Sequence, residues 1–149
     1  LGPATSETLA KVAALDPEKD FSRLLDRANH FERREVQAAA TARLRAHPKF
    51  IELLSAELQS GHAEPALMFL RDATLTPAEQ KAFARPTCRA MERWVNEIPA
   101  PHYTTKQRFK ELCRWGKDML AFIPEKFAGT GVDFGPVLEE FNEKSGAKR

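Results

Sequence analysis

The chain has 149 residues, 42% hydrophobic and 30% charged, with a formal net charge of +2. Such a length suits one domain with a core of ordinary size, and the composition is that of a folded chain, not a disordered one. The longest apolar run, Ala66-Leu67-Met68-Phe69-Leu70, falls far short of the roughly 18 residues of a membrane-spanning helix. The near-balanced charge neither demands nor excludes a nucleic-acid partner.

The first residue is Leu1, not methionine. The expectation is a piece of a longer polypeptide, or a chain that has lost a leader, and the compartment is open. Cys88 and Cys113 are too few for a disulfide framework and lack the histidine partners of a zinc site. They are expected to be reduced, partly buried small hydrophobes; the alternative is one disulfide between two helices, which would require an oxidising compartment.

In chain order the prolines punctuate. Asp16-Pro17, His47-Pro48, Glu64-Pro65, Thr76-Pro77 and Gly135-Pro136 each precede an apolar pattern of helical spacing. Proline fits the first turn of a helix, where its missing N–H would have had no partner. Nothing between them reads as a strand. A first helix is predicted over residues 6–15, with Leu9, Val12 and Ala13 on one face and Thr5 or Ser6 as its cap. Asp16-Pro17 predicts the start of a second, striped by Phe21, Leu24, Leu25 and Ala28 and stopped at Asn29. A third, over 30–46, aligns Val36, Ala40 and Leu44.

Pro48 disfavours helical geometry at His47, which predicts a corner. A fourth helix follows over 48–59 with Phe50, Ile51, Leu54 and Leu58 in register, and Gly61 is expected to cap it in the left-handed conformation. The fifth, over 63–73, is apolar on several sides and should be the centre of the core. Residues 47–72 resemble one helix pair of a HEAT-type solenoid, with the apolar second helix inside.

Thr76-Pro77-Ala78-Glu79 is a capping box with proline in the first turn. Pro86 is expected to break the helix that follows, leaving pieces over 77–84 and 86–97. The second piece would turn Cys88, Met91, Trp94, Val95 and Ile98 inward. Pro99-Ala100-Pro101 is a rigid linker. Thr104 or Thr105 then caps a seventh helix running to about Ile123. Pro124 interrupts, 125–128 adds a turn, and 129–135 is a loop. A last helix from Pro136 carries Val137, Leu138 and Phe141, and 145–149 reads as a frayed basic tail. The expected fold is therefore a single all-α domain of seven to nine short helices in antiparallel pairs. They would form a bundle or a short HEAT-like α-solenoid. No motif repeats at a fixed period.

Site chemistry is sparse. His30, His47, His62 and His102 are scattered, none at the i, i+4 spacing that puts two ligands on one helical face. They read as surface or capping residues. Gly129-Thr130-Gly131-Val132-Asp133-Phe134-Gly135 fails as a phosphate loop, because Phe134 stands where the third glycine belongs and the loop follows a helix. Glu32, Glu35, Glu92, Glu139 and Glu140 read as solvated faces, and no serine or cysteine sits in a nucleophile motif. No catalytic residue, cofactor or metal ligand is assigned.

The seventh helix is the exception. At 100° per residue, Lys106, Lys110, Arg114 and Lys117 fall within an arc of about 80°. Phe109, Leu112, Gly116, Met119, Leu120 and Ile123 take the core arc. Trp115 and Phe122 lie beyond its edge, on the side away from the basic stripe. Gly116 would let a neighbouring helix approach closely. Two readings compete for Trp115 and Phe122: packing against a second helix, the C-terminal one, or anchoring a partner steered by the basic rail. The candidate partner-binding residues are Lys106, Lys110, Arg114, Trp115, Lys117 and Phe122. The expected function is a non-catalytic protein–protein interaction or scaffolding module of a larger protein, with an acidic protein as partner. The alternatives are a nucleic-acid-binding helical domain, drawing also on Arg33, Arg34 and Arg45, or a regulatory or substrate-recognition domain of a larger enzyme. No membrane insertion by this segment is expected.

Overall fold

A computed structural model describes residues 2–146 of the chain. Among them the structure is all-α, with no strand. Its elements are α1 (Pro3–Ala14), α2 (Phe21–Arg27), α3 (Arg34–Ala46), α4 (Phe50–Gln59), α5 (Glu64–Asp72), α6 (Pro77–Asn96), α7 (Lys106–Phe122) and α8 (Gly135–Ser145). Short 3-10 helices at Pro101–Tyr103 and Pro124–Phe127 flank α7. The chain separates into two compact units, Leu1–Ala73 and Thr74–Arg149.

In the first unit the expected stripes are buried: Phe21, Leu24, Leu25 and Ala28; Val36, Ala40 and Leu44; Phe50, Leu54 and Leu58. Ile51 stays exposed. All five residues of the apolar run, Ala66 to Leu70, are buried in α5, which packs against α2 and α4. The edge of the Phe50 ring meets Phe69 with centroids 5.8 Å apart, and Phe21 lies 6.3 Å from Phe50 on the other side. Large side chains buried this fully stabilise by roughly 1.5–3 kcal/mol each, which makes this cluster the main source of the unit's stability.

Several helix starts differ from expectation. Helix α1 begins at Pro3, so Thr5 and Ser6 are inside it instead of capping it. Pro17 and Pro48 do not open helices. After Pro17 the Asp16 carboxylate accepts the Glu18 and Lys19 N–H groups at 2.8 and 2.9 Å, and the Asp20 carboxylate accepts the Asp16 N–H at 2.9 Å. These local bonds compete with helix geometry and delay α2 to Phe21. Those same backbone donors hold the Asp16 pKa below its usual value. At the His47 corner, the Nδ1 of His47 accepts the Lys49 N–H at 2.9 Å, and α4 starts only at Phe50. A turn built on Asn29 likewise delays α3 to Arg34. Gly61 is not left-handed; α4 ends instead on Ser60 in extended geometry.

In the second unit the Thr76 capping box forms in both directions, with Thr76 Oγ1 accepting the Glu79 N–H and Glu79 accepting the Thr76 N–H. Helix α6 then runs unbroken through Pro86, contrary to the expected break. The proline ring costs about 3 kcal/mol in a helix interior. Phe83, Ala84, Thr87, Cys88, Ala90 and Met91 are all buried around it, and their combined burial outweighs that cost. The inner face is as expected at Cys88, Met91, Val95 and Ile98, while Trp94 is half-buried. Pro65, Pro77 and Pro136 stand in the first turns of α5, α6 and α8 as expected. Gly129 and Gly131 both take φ +83° in the loop before α8, a conformation that favours glycine. Gly146 closes α8 in the left-handed region; residues 147–149 of the expected basic tail lie outside the described residues.

Candidate functional site

Helix α7 packs against α8 and the Pro124–Phe127 turn, and Thr105 caps it by accepting the Arg108 N–H at 3.1 Å. Its packing side is settled at Gly116. A Cβ there would lie 2.8 Å from Phe141 Cζ and 2.9 Å from Trp94 Cζ3, so only glycine lets the α6 tryptophan and the α8 phenylalanine sit on this helix together. Met119, Leu120 and Ile123 continue the buried side. At the far end of α6, Lys144 of α8 donates to the carbonyls of Val95 and Asn96 at 3.0 and 2.9 Å. The Val95 carbonyl also accepts the Ile98 N–H at 3.2 Å, and a cation at this helix end complements its last carbonyls.

The other side of α7 is charged. Lys106, Lys110, Arg114 and Lys117 are all exposed. None of the four has an ion-pair partner within 4.0 Å among the described residues, whereas Arg108 on the same helix pairs with Glu111 at 3.7 Å. From Lys106 to Lys117, twelve residues, the four cations line about 17 Å of helix.

The aromatic candidates separate. Trp115 is half-buried and meets Trp94 edge-on, with centroids 5.2 Å apart. Its packing neighbour is thus on α6. Phe122 is 42% exposed at the end of the helix.

Sequence reasoning missed Tyr103. It is 79% exposed in the turn before α7, its ring 4.1 Å from that of His102. The first unit repeats this arrangement. Phe31 is 76% exposed and lies 4.2 Å from the ring of His30. Each histidine stands four positions before the first residue of a helix, Arg34 of α3 or Lys106 of α7. The signal is present in the sequence as a His-aromatic dipeptide ahead of each helix, too short to register as a repeat.

The remaining chemistry is structural. Histidine 30 places Nδ1 2.9 Å from the Asp72 carboxylate. The two cysteines are free. Burial pushes the Cys88 thiol up to about 11, with further contributions from the neighbouring Glu92 and Asp133, and burial also raises Cys113. The Cys88 thiol donates towards Glu92 Oε1 at 3.6 Å and the Asp133 carbonyl at 3.7 Å. Thiols held protonated this way are poor nucleophiles. No cluster of three or more histidine, cysteine or carboxylate side chains converges as a metal site among the described residues. No helix among them is long and apolar enough to cross a membrane. No family model matches the chain, and no curated protein or solved structure is significantly similar to it.

Proposed function

We propose that the chain is a non-catalytic helical protein–protein interaction or scaffolding module, and that it docks an acidic protein partner along α7. The observation that carries this reading is the row of four exposed, unpaired cations on one face of that helix. Uncompensated like charges along about 17 Å destabilise a helix slightly, and an acidic partner removes that repulsion while gaining charge-assisted hydrogen bonds. Exposed aromatic residues at both ends of the helix, Tyr103 and Phe122, supply apolar contact beside the charges. In the first unit α4 and α5 pack as a pair with the apolar α5 buried, which supports a HEAT-like scaffold.

The test is fluorescence titration of the chain with a labelled poly-glutamate peptide and, in parallel, a single-stranded oligothymidylate of similar charge. The expected result is salt-sensitive binding of the peptide that is lost in Lys110→Glu/Arg114→Glu. Tighter binding of the oligonucleotide supports a nucleic-acid-binding domain instead. Peptide binding untouched by the charge reversal sinks the assignment to α7.

A further inference from the structure

The turn that carries Phe31 is tied down by side-chain and backbone hydrogen bonds. Asn29 accepts the Phe31 N–H on Oδ1 at 2.9 Å and donates to the Asp26 carbonyl at 3.0 Å. The Glu32 N–H reaches the Asn29 carbonyl at 3.1 Å, and Glu32 pairs with Arg27 at 2.8 Å. His30 is bound twice by Asp72, through its N–H at 2.8 Å and its ring. The Asp72 side chain is itself buried and paired with Arg71 at 2.7 Å. A buried carboxylate and a buried asparagine thus fix a turn whose apolar side chain points into water. Leaving a phenylalanine out forfeits roughly 1.5–3 kcal/mol of burial. Holding its turn in place lowers the ordering cost of binding through it.

One residue from Phe31, Glu32 forms part of the rim of a groove of about 640 Å³ beside α1 and α2. Ala14 and Leu15, with Val12 beneath them, give it an apolar strip, and the charged side chains of Lys11, Arg23, Asp26, Arg27 and Glu32 line the rest. The volume is well above the roughly 150 Å³ that encloses a benzene molecule. Asp26 stands on the same rim with no hydrogen bond or ion pair to its carboxylate among the described residues. Partial burial and the nearby Glu57 raise its pKa, against the opposing pull of Arg27. Beyond Phe31, Arg33 and Arg34 are exposed and equally unpaired. The other cations of the rim already have acidic neighbours, Lys11 with Glu7 and Arg23 with Asp20, each at 3.9 Å.

We infer that the first unit carries a self-complementary face, on which Phe31 of one copy of this chain seats in the Val12–Leu15 groove of a second copy and receives the same insertion in return. A knob and a socket whose residues are neighbours in sequence can belong to one self-complementary patch, the kind of surface a two-fold, isologous interface uses twice. The unpaired charges agree with it: Arg33 and Arg34 beside the knob complement Asp26 beside the socket. This face uses no residue of α7, and its failure leaves the docking reading untouched.

Sedimentation velocity of the intact chain tests it over about 1 to 300 μM, a range that covers weak symmetric interfaces. A concentration-dependent monomer–dimer equilibrium is expected. Phe31→Ala, at an exposed position, should keep its thermal midpoint and weaken dimerisation by at least about 30-fold, the scale of a hot-spot residue. Ala14→Trp should do the same by filling the socket while leaving the knob intact. Asp26→Arg and Arg34→Asp should each weaken the dimer, and the double variant should recover it. A chain that is monomeric throughout the range overturns the inference. So does a Phe31→Ala variant that dimerises as the parent does.

Discussion

In the first unit, α3 follows the exposed His30-Phe31 pair; in the second, α7 follows the exposed His102-Tyr103 pair. From their first residues the two helices can be compared at i, i+4, i+8 and i+11. Helix α3 has Arg34, Ala38, Ala42 and Arg45; α7 has Lys106, Lys110, Arg114 and Lys117. The same geometry is decorated in two ways. In α3 the two end cations are separated by alanine, and Arg45 lies 5.8 Å over the Phe69 ring. In α7 all four positions are cationic and unpaired. The lesson is that the turn and helix are architecture, while the charge at two positions, 110 and 114, is what makes the second unit a candidate surface.

The units also differ in how tightly they pack around glycine, and this gives the largest expected effect on stability. Gly116→Ala must displace both Phe141 and Trp94. Overpacking costs about 1–3 kcal/mol, occasionally more, against a helix-propensity gain of about 1 kcal/mol. A net loss of about 2 kcal/mol, read as a lower thermal midpoint, is expected. Gly61→Ala in the first unit meets nothing within 4 Å and has no positive φ, and should leave the midpoint unchanged or slightly raised. Equal effects at the two glycines would dissolve this contrast.

Both cysteines lie in the second unit. With the Cys88 pKa raised from 9.0 to about 11, its thiolate population near pH 8 is about 100-fold below that of an ordinary thiol. Alkylation mapped by mass spectrometry should therefore be slower at Cys88 by about that factor. The native state keeps this proton more tightly than the unfolded chain, so its stabilising effect is complete below pH 9 and declines as pH rises toward 11. Cys88→Ala should flatten stability across that window; an unchanged slope would assign the decline to other groups.

The smallest effect concerns the buried polar atoms left without a partner, Arg43 Nε in the first unit and Thr87 Oγ1 in the second among the described residues. Arg43 still donates through another nitrogen to the Leu15 carbonyl, where α1 ends, so truncating it uncovers a helix end. Thr87 is fully buried and does nothing comparable. Thr87→Val keeps the shape and removes the orphaned hydroxyl, and should stabilise the chain by about 1 kcal/mol in chemical denaturation.

The fold was largely legible in the sequence because its signals are local. Apolar spacing placed the buried faces of α2 to α5, and the Thr76 box placed the start of α6 to the residue. Expectation failed where a non-local term or a competing polar bond decides. Burial around Pro86 overrides a local penalty, and the Asp16, Asn29 and His47 side chains capture backbone N–H groups that helices would otherwise have used. At the candidate site, the basic row and the role of Gly116 were legible from spacing alone. The exposure of Tyr103 and Phe31 was not, because a hydrophobic residue in a turn carries no sign of whether it folds inward. The partner of Trp115 on α6 was equally hidden, since helix pairing is a property of the fold and not of either helix.

The most direct measurement exchanges the two distinguishing positions between the units and reads binding of the labelled poly-glutamate peptide. In Lys110→Ala/Arg114→Ala, α7 carries the alanine pattern of α3. In Ala38→Lys/Ala42→Arg, two exposed sites on α3 receive the pattern of α7. At about tenfold per charge-assisted contact, the first variant should lose affinity by about 100-fold, and the second should gain a second binding site. Unchanged affinity in the first variant, with folding intact, would contradict the assignment of α7 as the docking surface.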